Sequence, residues 1–195
     1  MNSKVFVVDD DDALRDSLRV LLGSAGLESE AFGSAEQFLA EYHGAPGCLL
    51  LDVRMPGMSG LQLQAELAAR KVRAPVVFMT GHGDVPMAVQ AIKEGALDFI
   101  EKPYRDEDLL ERVRRALEVD AERRRAESAL DALTQREREV LDQVLAGRTG
   151  RAMAEALGVS AKTIEFHRAR IMQKLGVRTR EELYRICREA RVFSQ

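Results

Sequence analysis

Five polar residues stand at the ends of short apolar runs, and together their types equip the chain for one kind of chemistry. Asp9 and Asp10 follow Lys4–Val8 (KVFVV), Asp52 follows Cys48–Leu51, Thr80 follows Pro75–Met79, and Lys102 comes shortly after Phe99-Ile100. Carboxylates gathered in one pocket repel unless a cation or a proton offsets them. Ligands that are all oxygen suit Mg²⁺, which is content with one or two carboxylates plus water and phosphate oxygens. A threonine hydroxyl and a lysine ammonium complete the equipment for receiving a phosphoryl group. Mg²⁺ and Lys102 would neutralise the equatorial oxygens while a carboxylate attacks in line. Taken alone, Asp52 reads equally well as a helix cap or a turn acid; its company is what singles it out.

Those residues need elements that bring them together. Leu49, Leu50 and Leu51 form a run too short for an ordinary helix and read as a strand buried on both faces. After Asp52 comes a loop with Pro56-Gly57 and Ser59-Gly60, then a helix from about Gly60 to Arg70. Leu14, Leu18, Leu21 and Leu22 recur at helical spacing; Ser34 opens a helix through Tyr42; further helices read from Pro86 to Glu94 and from near Asp106. Leu27 to Phe32 is a weaker strand. Strands alternating with helices argue for a parallel sheet covered on both faces, whose strand carboxyl ends are where ligands bind.

Beyond Asp106 no Gly or Pro interrupts residues 104–146, and the apolar stripe thins after Val119, as in a solvated helical linker. Thr134 and Glu137 then fit a capping box, opening a helix that carries Val140, Leu141, Val144 and Leu145. A short helix from Arg151 to Leu157, a turn at Gly158, and a longer helix from Ala161 to Leu175 capped by Ser160 outline a helix-turn-helix. Thr179 caps a last helix with Leu183, Ile186 and Cys187.

Charge divides the chain in the same place. Residues 1–118 hold 13 Lys+Arg against 20 Asp+Glu, and residues 119–195 hold 16 against 12. The overall −3 thus joins an acidic half at −7 to a basic half at +4. Within residues 143–180 the bases outnumber the acids 8 to 2, which suggests an anion-binding module, a solvated charge face being the alternative that charge alone does not exclude. No apolar run approaches the ~20 residues of a membrane span, and no signal-peptide pattern is visible. Cys48 and Cys187 lack metal-ligand spacing and read as buried thiols, which fits a reducing cytoplasm.

The first part of the chain resembles the receiver domain of two-component response regulators over its full length. The residues that carry this are Val-Val-Asp-Asp (7–10), Leu-Asp-Val-Arg-Met-Pro-Gly-Met-Ser-Gly (51–60), Thr80 and Lys102-Pro103. Thr-Gly-His-Gly-Asp-Val-Pro-Met-Ala-Val (80–89) and Asp-Phe-Ile-Glu-Lys-Pro (98–103) are similar to the FixJ branch. The resemblance implies a flavodoxin-like, doubly wound five-stranded parallel sheet in the order 2-1-3-4-5. It implies Asp52 as the phosphoacceptor of a sensor histidine kinase. Asp10, Asp52 and the Arg54 backbone carbonyl would ligand Mg²⁺, with Asp9 acting mainly through water. Thr80 would bind a phosphoryl oxygen, and Lys102 would pair with the phosphate beside a cis Lys102–Pro103 peptide. Phe99 sits where family members carry a switch aromatic; as a phenylalanine it has no hydroxyl to bond, and plain core is the competing reading. Arg54 and His82 occupy positions that tune phosphoryl lifetime, though His82 reads equally as a loop residue.

The second part resembles the LuxR/FixJ-type DNA-binding domain, through Leu-Thr-Gln-Arg-Glu-Arg-Glu-Val-Leu (133–141), Gly-Val-Ser-Ala-Lys-Thr-Ile-Glu-Phe-His-Arg (158–168) and Ile-Met-Gln-Lys-Leu-Gly-Val-Arg-Thr (171–179). Ile164, Ile171 and Leu175 should face the core, leaving Lys162, Thr163, Glu165, Phe166, Ala169, Arg170 and Gln173 outward for the major groove. Lys162, Arg168, Arg170 and Lys174 suit phosphates or guanine edges, and Glu165 suits cytosine. Phe166 either meets thymine methyls or tucks into the core, and His167 either joins that surface or braces the helix. Thr149-Gly150-Arg151-Ala152 departs from the family's Ser-Asn-Lys-Glu, so phosphate contacts at that end would fall to Arg148 and Arg151. The expected organisation is a receiver at 1–118, a helical linker at 119–132 and a four-helix DNA-binding domain at 133–195. As a whole, this implies a cytoplasmic transcription regulator rather than an enzyme, catalysing only its own phosphorylation and dephosphorylation. Its partners would be a histidine kinase, double-stranded operator DNA, RNA polymerase and, when phosphorylated, a second copy. An aspartyl phosphohydrolase would want an acid where Arg54 stands, and four successive aspartates would repel the FMN of a flavodoxin. A constitutive DNA-binding protein with the receiver as scaffold is the remaining rival.

Overall fold

The computed structural model describes residues 3–81 and 85–191. Strands β1 (Lys4–Val8), β2 (Ser29–Phe32), β3 (Gly47–Asp52), β4 (Val76–Thr80) and β5 (Asp98–Glu101) form one sheet in the order β2-β1-β3-β4-β5. Every pairing is parallel. Between and after them run α1 (Asp12–Ser24), α2 (Ala35–Glu41), α3 (Gly60–Ala69), α4 (Val85–Lys93) and α5 (Asp106–Asp131). Two strands run one residue further than their apolar letters, so Asp52 and Thr80 are the last residues of β3 and β4.

Both faces of the sheet are covered, which is why β3 tolerates no polar residue before Asp52. Phe6, Val8, Leu49 and Leu51 point to one core with Phe38, Leu63 and Leu67. Val5, Val7, Cys48 and Leu50 point to the other with Leu18, Leu22, Leu109 and Val113. Each such side chain, fully buried, stabilises the fold by about 1.5–3 kcal/mol. Burial in this second core, with the Asp120 charge nearby, pushes the Cys48 thiol up to about 12, so it is an inert thiol.

The compact units divide at Ala121/Glu122, inside α5. The expectation of a solvated linker is corrected on one face of that helix: Asp120, Arg123 and Ala126 are buried, and Ala129 and Leu130 pack on the second unit's core. The physical reason for Asp120 is visible, since its carboxylate accepts the Gly47 N–H at 2.9 Å. Gly47 needs to be glycine because its φ is +147° and a Cβ would sit 1.9 Å from the Lys4 carbonyl oxygen.

The second unit packs α6 (Gln135–Leu145), α7 (Gly150–Leu157), α8 (Ala161–Leu175) and α9 (Arg180–Arg191) around Val140, Met153, Ile164, Ile171 and Leu183. The sequence-expected caps at Ser34, Thr134 and Ser160 are present, and the Thr179 hydroxyl accepts from Glu182 N. Thr149 caps α7, accepting the Ala152 N–H, so this helix begins one residue earlier than expected. Glu137, only 2% exposed, closes the capping box and accepts Lys174 Nζ at 2.6 Å. That hydrogen bond to Lys174, with those from Thr134, holds its carboxyl down at about 2 instead of 4.5.

A depressed carboxyl favours the folded state above its unfolded value, and that stability is lost as the folded pKa is approached from above. Stability of the second unit should therefore fall as pH drops from 4.5 through about 2. Glu137→Gln is expected to lower stability at neutral pH by about 2 kcal/mol and to flatten this acid dependence, as read by denaturant unfolding across pH.

Candidate functional site

Four successive aspartates leave β1, and each has a separate task. Asp9 is 1% exposed: its Oδ1 accepts the Asp11 N–H at 2.9 Å and its Oδ2 accepts Lys102 Nζ at 2.9 Å. Asp10 is exposed. Asp11 is the N-cap of α1, taking the N–H groups of Ala13 and Leu14, and Asp12 pairs with Arg15. The run that reads as one acidic cluster is thus a buried anchor, an open carboxylate, a cap and a partner for an arginine.

Asp52 faces Asp9 across the sheet's carboxyl edge. Its Oδ1 accepts Lys102 Nζ at 2.6 Å and its Oδ2 accepts the Arg54 N–H at 2.7 Å. A Cβ on Gly60 would lie 2.1 Å from the Asp52 carbonyl oxygen, so only glycine lets α3 start this close to the site. Lys102 is placed by its own N–H, which donates to Thr80 O at 2.7 Å, and the Lys102–Pro103 peptide is cis. Thr80 is buried at the end of β4, its hydroxyl donating to Gly81 O at 3.3 Å. Phe99 is half-buried against the first core, and its carbonyl accepts Arg112 Nε at 3.1 Å. His82 lies outside the described residues.

One ammonium is therefore shared between two carboxylates, and the electrostatics follow. Burial raises the Asp52 carboxyl above its usual range; Lys102 pulls it down and Asp9 pushes it up. Burial also opposes the Lys102 charge, but Asp52 and Asp9 together overcome it and raise the ammonium. The two directions agree once sharing is counted: Lys102 gains two partners, while Asp52 gains part of one, beside a like charge and its own burial.

Among the described residues no three His, Cys, Asp or Glu side chains converge as a ready metal cage. A divalent ion that takes few carboxylates and fills its shell with carbonyl, water and phosphate oxygens still fits. Asp10, Asp52 and the Arg54 carbonyl would supply such an all-oxygen set, with Asp9, bonded to Lys102 and the Asp11 N–H, expected to act through water.

In the second unit α7 and α8 meet across Gly158, which adopts the left-handed conformation at φ +63°. Ile164, Ile171 and Leu175 are buried as expected. Phe166 is 55% exposed, so its ring is not tucked into the core, and the Arg170 guanidinium lies over it at 5.5 Å. Lys162, Glu165, Ala169, Arg170 and Gln173 are exposed as well. Arg168 bonds Glu165 at 2.8 Å, and the Thr163 hydroxyl bonds Ser160 at 2.8 Å. His167 is half-buried, its ring set edgewise to Phe166. Lys174, exposed and expected at DNA, also bonds the buried Glu137 and the Ala132 carbonyl, a tie within its own domain.

Sequence reasoning missed several supports. Arg15 Nη1 donates to the Asp9 carbonyl at 2.5 Å. Glu36 accepts the Met58 N–H at 3.0 Å and so ties α2 to the loop after Asp52. Asp12 and Arg15 stand three apart on a helix and were open to notice; the Glu36–Met58 contact, 22 residues apart, left no local signal.

Comparison with known proteins follows the same division. Residues 5–114 match the family described as the response regulator receiver domain, and residues 131–187 match the bacterial regulatory proteins of the luxR family. The transcriptional regulatory protein TdiR of Thauera aromatica is 45% identical over 189 residues, covering 93% of this chain and 83% of that protein. FixJ of Azorhizobium caulinodans is 45% identical over 192 residues, covering 93% and 90%. The crystal structure of full-length FixJ from B. japonicum aligns with a TM-score of 0.57 at 36% identity, over 97% of this chain and 98% of that one.

Lys102→Met should strand two buried carboxylates beside each other. Asp52 is expected to titrate higher still than in the wild type, seen by carboxyl ¹³C NMR; an unchanged Asp52 titration would show that the ammonium is not what holds it ionised.

Proposed function

The chain belongs to the FixJ-like response regulators, and on that premise we propose that Asp52 accepts a phosphoryl group from a sensor histidine kinase. These proteins join a receiver to a LuxR-type DNA-binding domain and regulate transcription. The observation that carries the proposal is the Lys102 ammonium, 2.6 Å from Asp52 and 2.9 Å from Asp9 at one edge of the sheet. Its positive charge favours the ionised, nucleophilic form of Asp52 against the burial that disfavours it.

In the reaction Asp52 attacks the phosphorus in line as the bond to the kinase histidine breaks. Lys102 turns from the carboxylate to the incoming phosphoryl oxygens, releasing part of its hold on Asp52 and Asp9. The Thr80 hydroxyl, which donates to the neighbouring Gly81 carbonyl, is placed to take a phosphoryl oxygen instead. Mg²⁺ held by Asp10, Asp52 and the Arg54 carbonyl would offset the remaining phosphoryl charge. The movement of Thr80, the last residue of β4, gives Phe99 on the neighbouring β5 room to turn inward.

The face that reads this change consists of α4, β5 and the first turns of α5. Val89 and Ile92 on α4 are exposed at 46% and 40%, an apolar pair that supports homodimerisation of the phosphorylated protein. Dimerisation sets two α8 helices on two half-sites of operator DNA, so a modest monomer affinity becomes specific binding. Lys162 and Arg170 supply phosphate or guanine contacts, Phe166 a thymine-methyl contact, and the Glu165–Arg168 pair a polar one. Engaging RNA polymerase from there would make the protein a cytoplasmic activator. Among the described residues no helix is long and apolar enough to cross a membrane.

Light scattering with Mg²⁺ and a small phosphodonor tests this. Wild type is expected to pass from monomer to dimer and to bind operator DNA more tightly, while Asp52→Asn does neither. A dimer formed by both proteins regardless of donor would favour the receiver as a constitutive scaffold.

A further inference from the structure

Arg15 sits in the first turn of α1, and its side chain is only 16% exposed. Nη1 donates to the main-chain carbonyl of Asp9 at 2.5 Å, and Nη2 pairs with the Asp12 carboxylate. The guanidinium also lies against Gly33, where a Cβ would be 3.5 Å from Nη2. It is thus wedged between the end of β1, the start of α1 and the loop after β2.

The carbonyl it holds belongs to the peptide plane that joins Asp9 to Asp10. That plane is rigid, so fixing its oxygen fixes the direction in which the chain leaves both residues. Asp9 has other ties: its N–H donates to Phe32 O at 3.2 Å, and its carboxylate takes Asp11 N–H and Lys102. The exposed Asp10 side chain depends on the backbone for its aim. Arg15 also brings positive charge to a loop of four acids, easing their repulsion. The task suits a planar fork, one nitrogen on the carbonyl and another on Asp12; a lysine ammonium offers the charge without that geometry.

We propose that Arg15 is a positioning residue for the Mg²⁺ site, setting the aim of Asp10 through the Asp9–Asp10 peptide and thereby the affinity for the ion. The proposal rests on the reading of Asp10 and Asp52 as ligands. Its effect is on ion binding, not on phosphoryl transfer once the ion is bound.

The experiment titrates Mg²⁺ into full-length wild type, Arg15→Lys, Arg15→Met and Asp10→Asn by calorimetry, and follows phosphorylation by acetyl phosphate as Mg²⁺ is raised. Both Arg15 variants are expected to bind Mg²⁺ about tenfold or more weakly. At saturating Mg²⁺ their phosphorylation rate should return to within about twofold of wild type, a split that simple loss of stability would not produce. Arg15→Lys retains the charge and decides the question if the methionine variant fails to fold. Wild-type Mg²⁺ affinity in Arg15→Lys, with binding lost in Asp10→Asn, overturns the proposal and leaves the site reading standing. Wild-type affinity in Asp10→Asn overturns both.

Discussion

One ammonium between two buried carboxylates is the constraint on which the receiver's chemistry depends. Asp9 and Asp52 are each nearly excluded from water, and side by side they would exclude one another's charge. Lys102, bonded to both, sets one positive charge against the repulsion between the two carboxyl groups. The same arrangement explains why such a site can change state. A phosphoryl group on Asp52 adds negative charge where a single cation already serves two anions, so Lys102 has to redistribute, and the strands that carry it feel the change.

The parallel sheet makes that constraint possible at little cost in chain length. Every strand of the central three runs the same way, so the ends of β1, β3 and β4 meet at one edge, with Lys102 following β5 beside them. Their interiors are apolar on both faces and pack rigidly, so the polar ends are fixed to within the tolerance of the core. Gly60 allows α3 to begin against the Asp52 backbone, Glu36 secures the loop in between, and Asp120 holds the opposite end of β3. Positioning comes from backbone carbonyls and amides as much as from side chains.

Much of this was legible in the residues themselves. Apolar runs of four or five with an acid, hydroxyl or amine at the end locate β1, β3, β4 and the site, because period and punctuation are local signals. Caps with a hydroxyl before a helix were equally plain at Ser34, Thr134 and Ser160. What escaped depends on distant pairs: that Lys102 bonds Asp9 as well as Asp52, that Lys174 ties to the buried Glu137, and that Asp120 is buried in a stretch that reads as solvated. A charged side chain looks the same in sequence whether it meets water or a partner dozens of residues away. Phe166 is the converse case, an aromatic ring that stays exposed, with Arg170 across its face.

The most direct measurement is to map the phosphoryl adduct formed from acetyl phosphate, trapped with borohydride, in wild type and Lys102→Met. Modification of Asp52 in the wild type, with strong loss in Lys102→Met, is the predicted result. Modification at another residue, or equal modification of Asp52 without Lys102, would contradict a site organised by the shared ammonium.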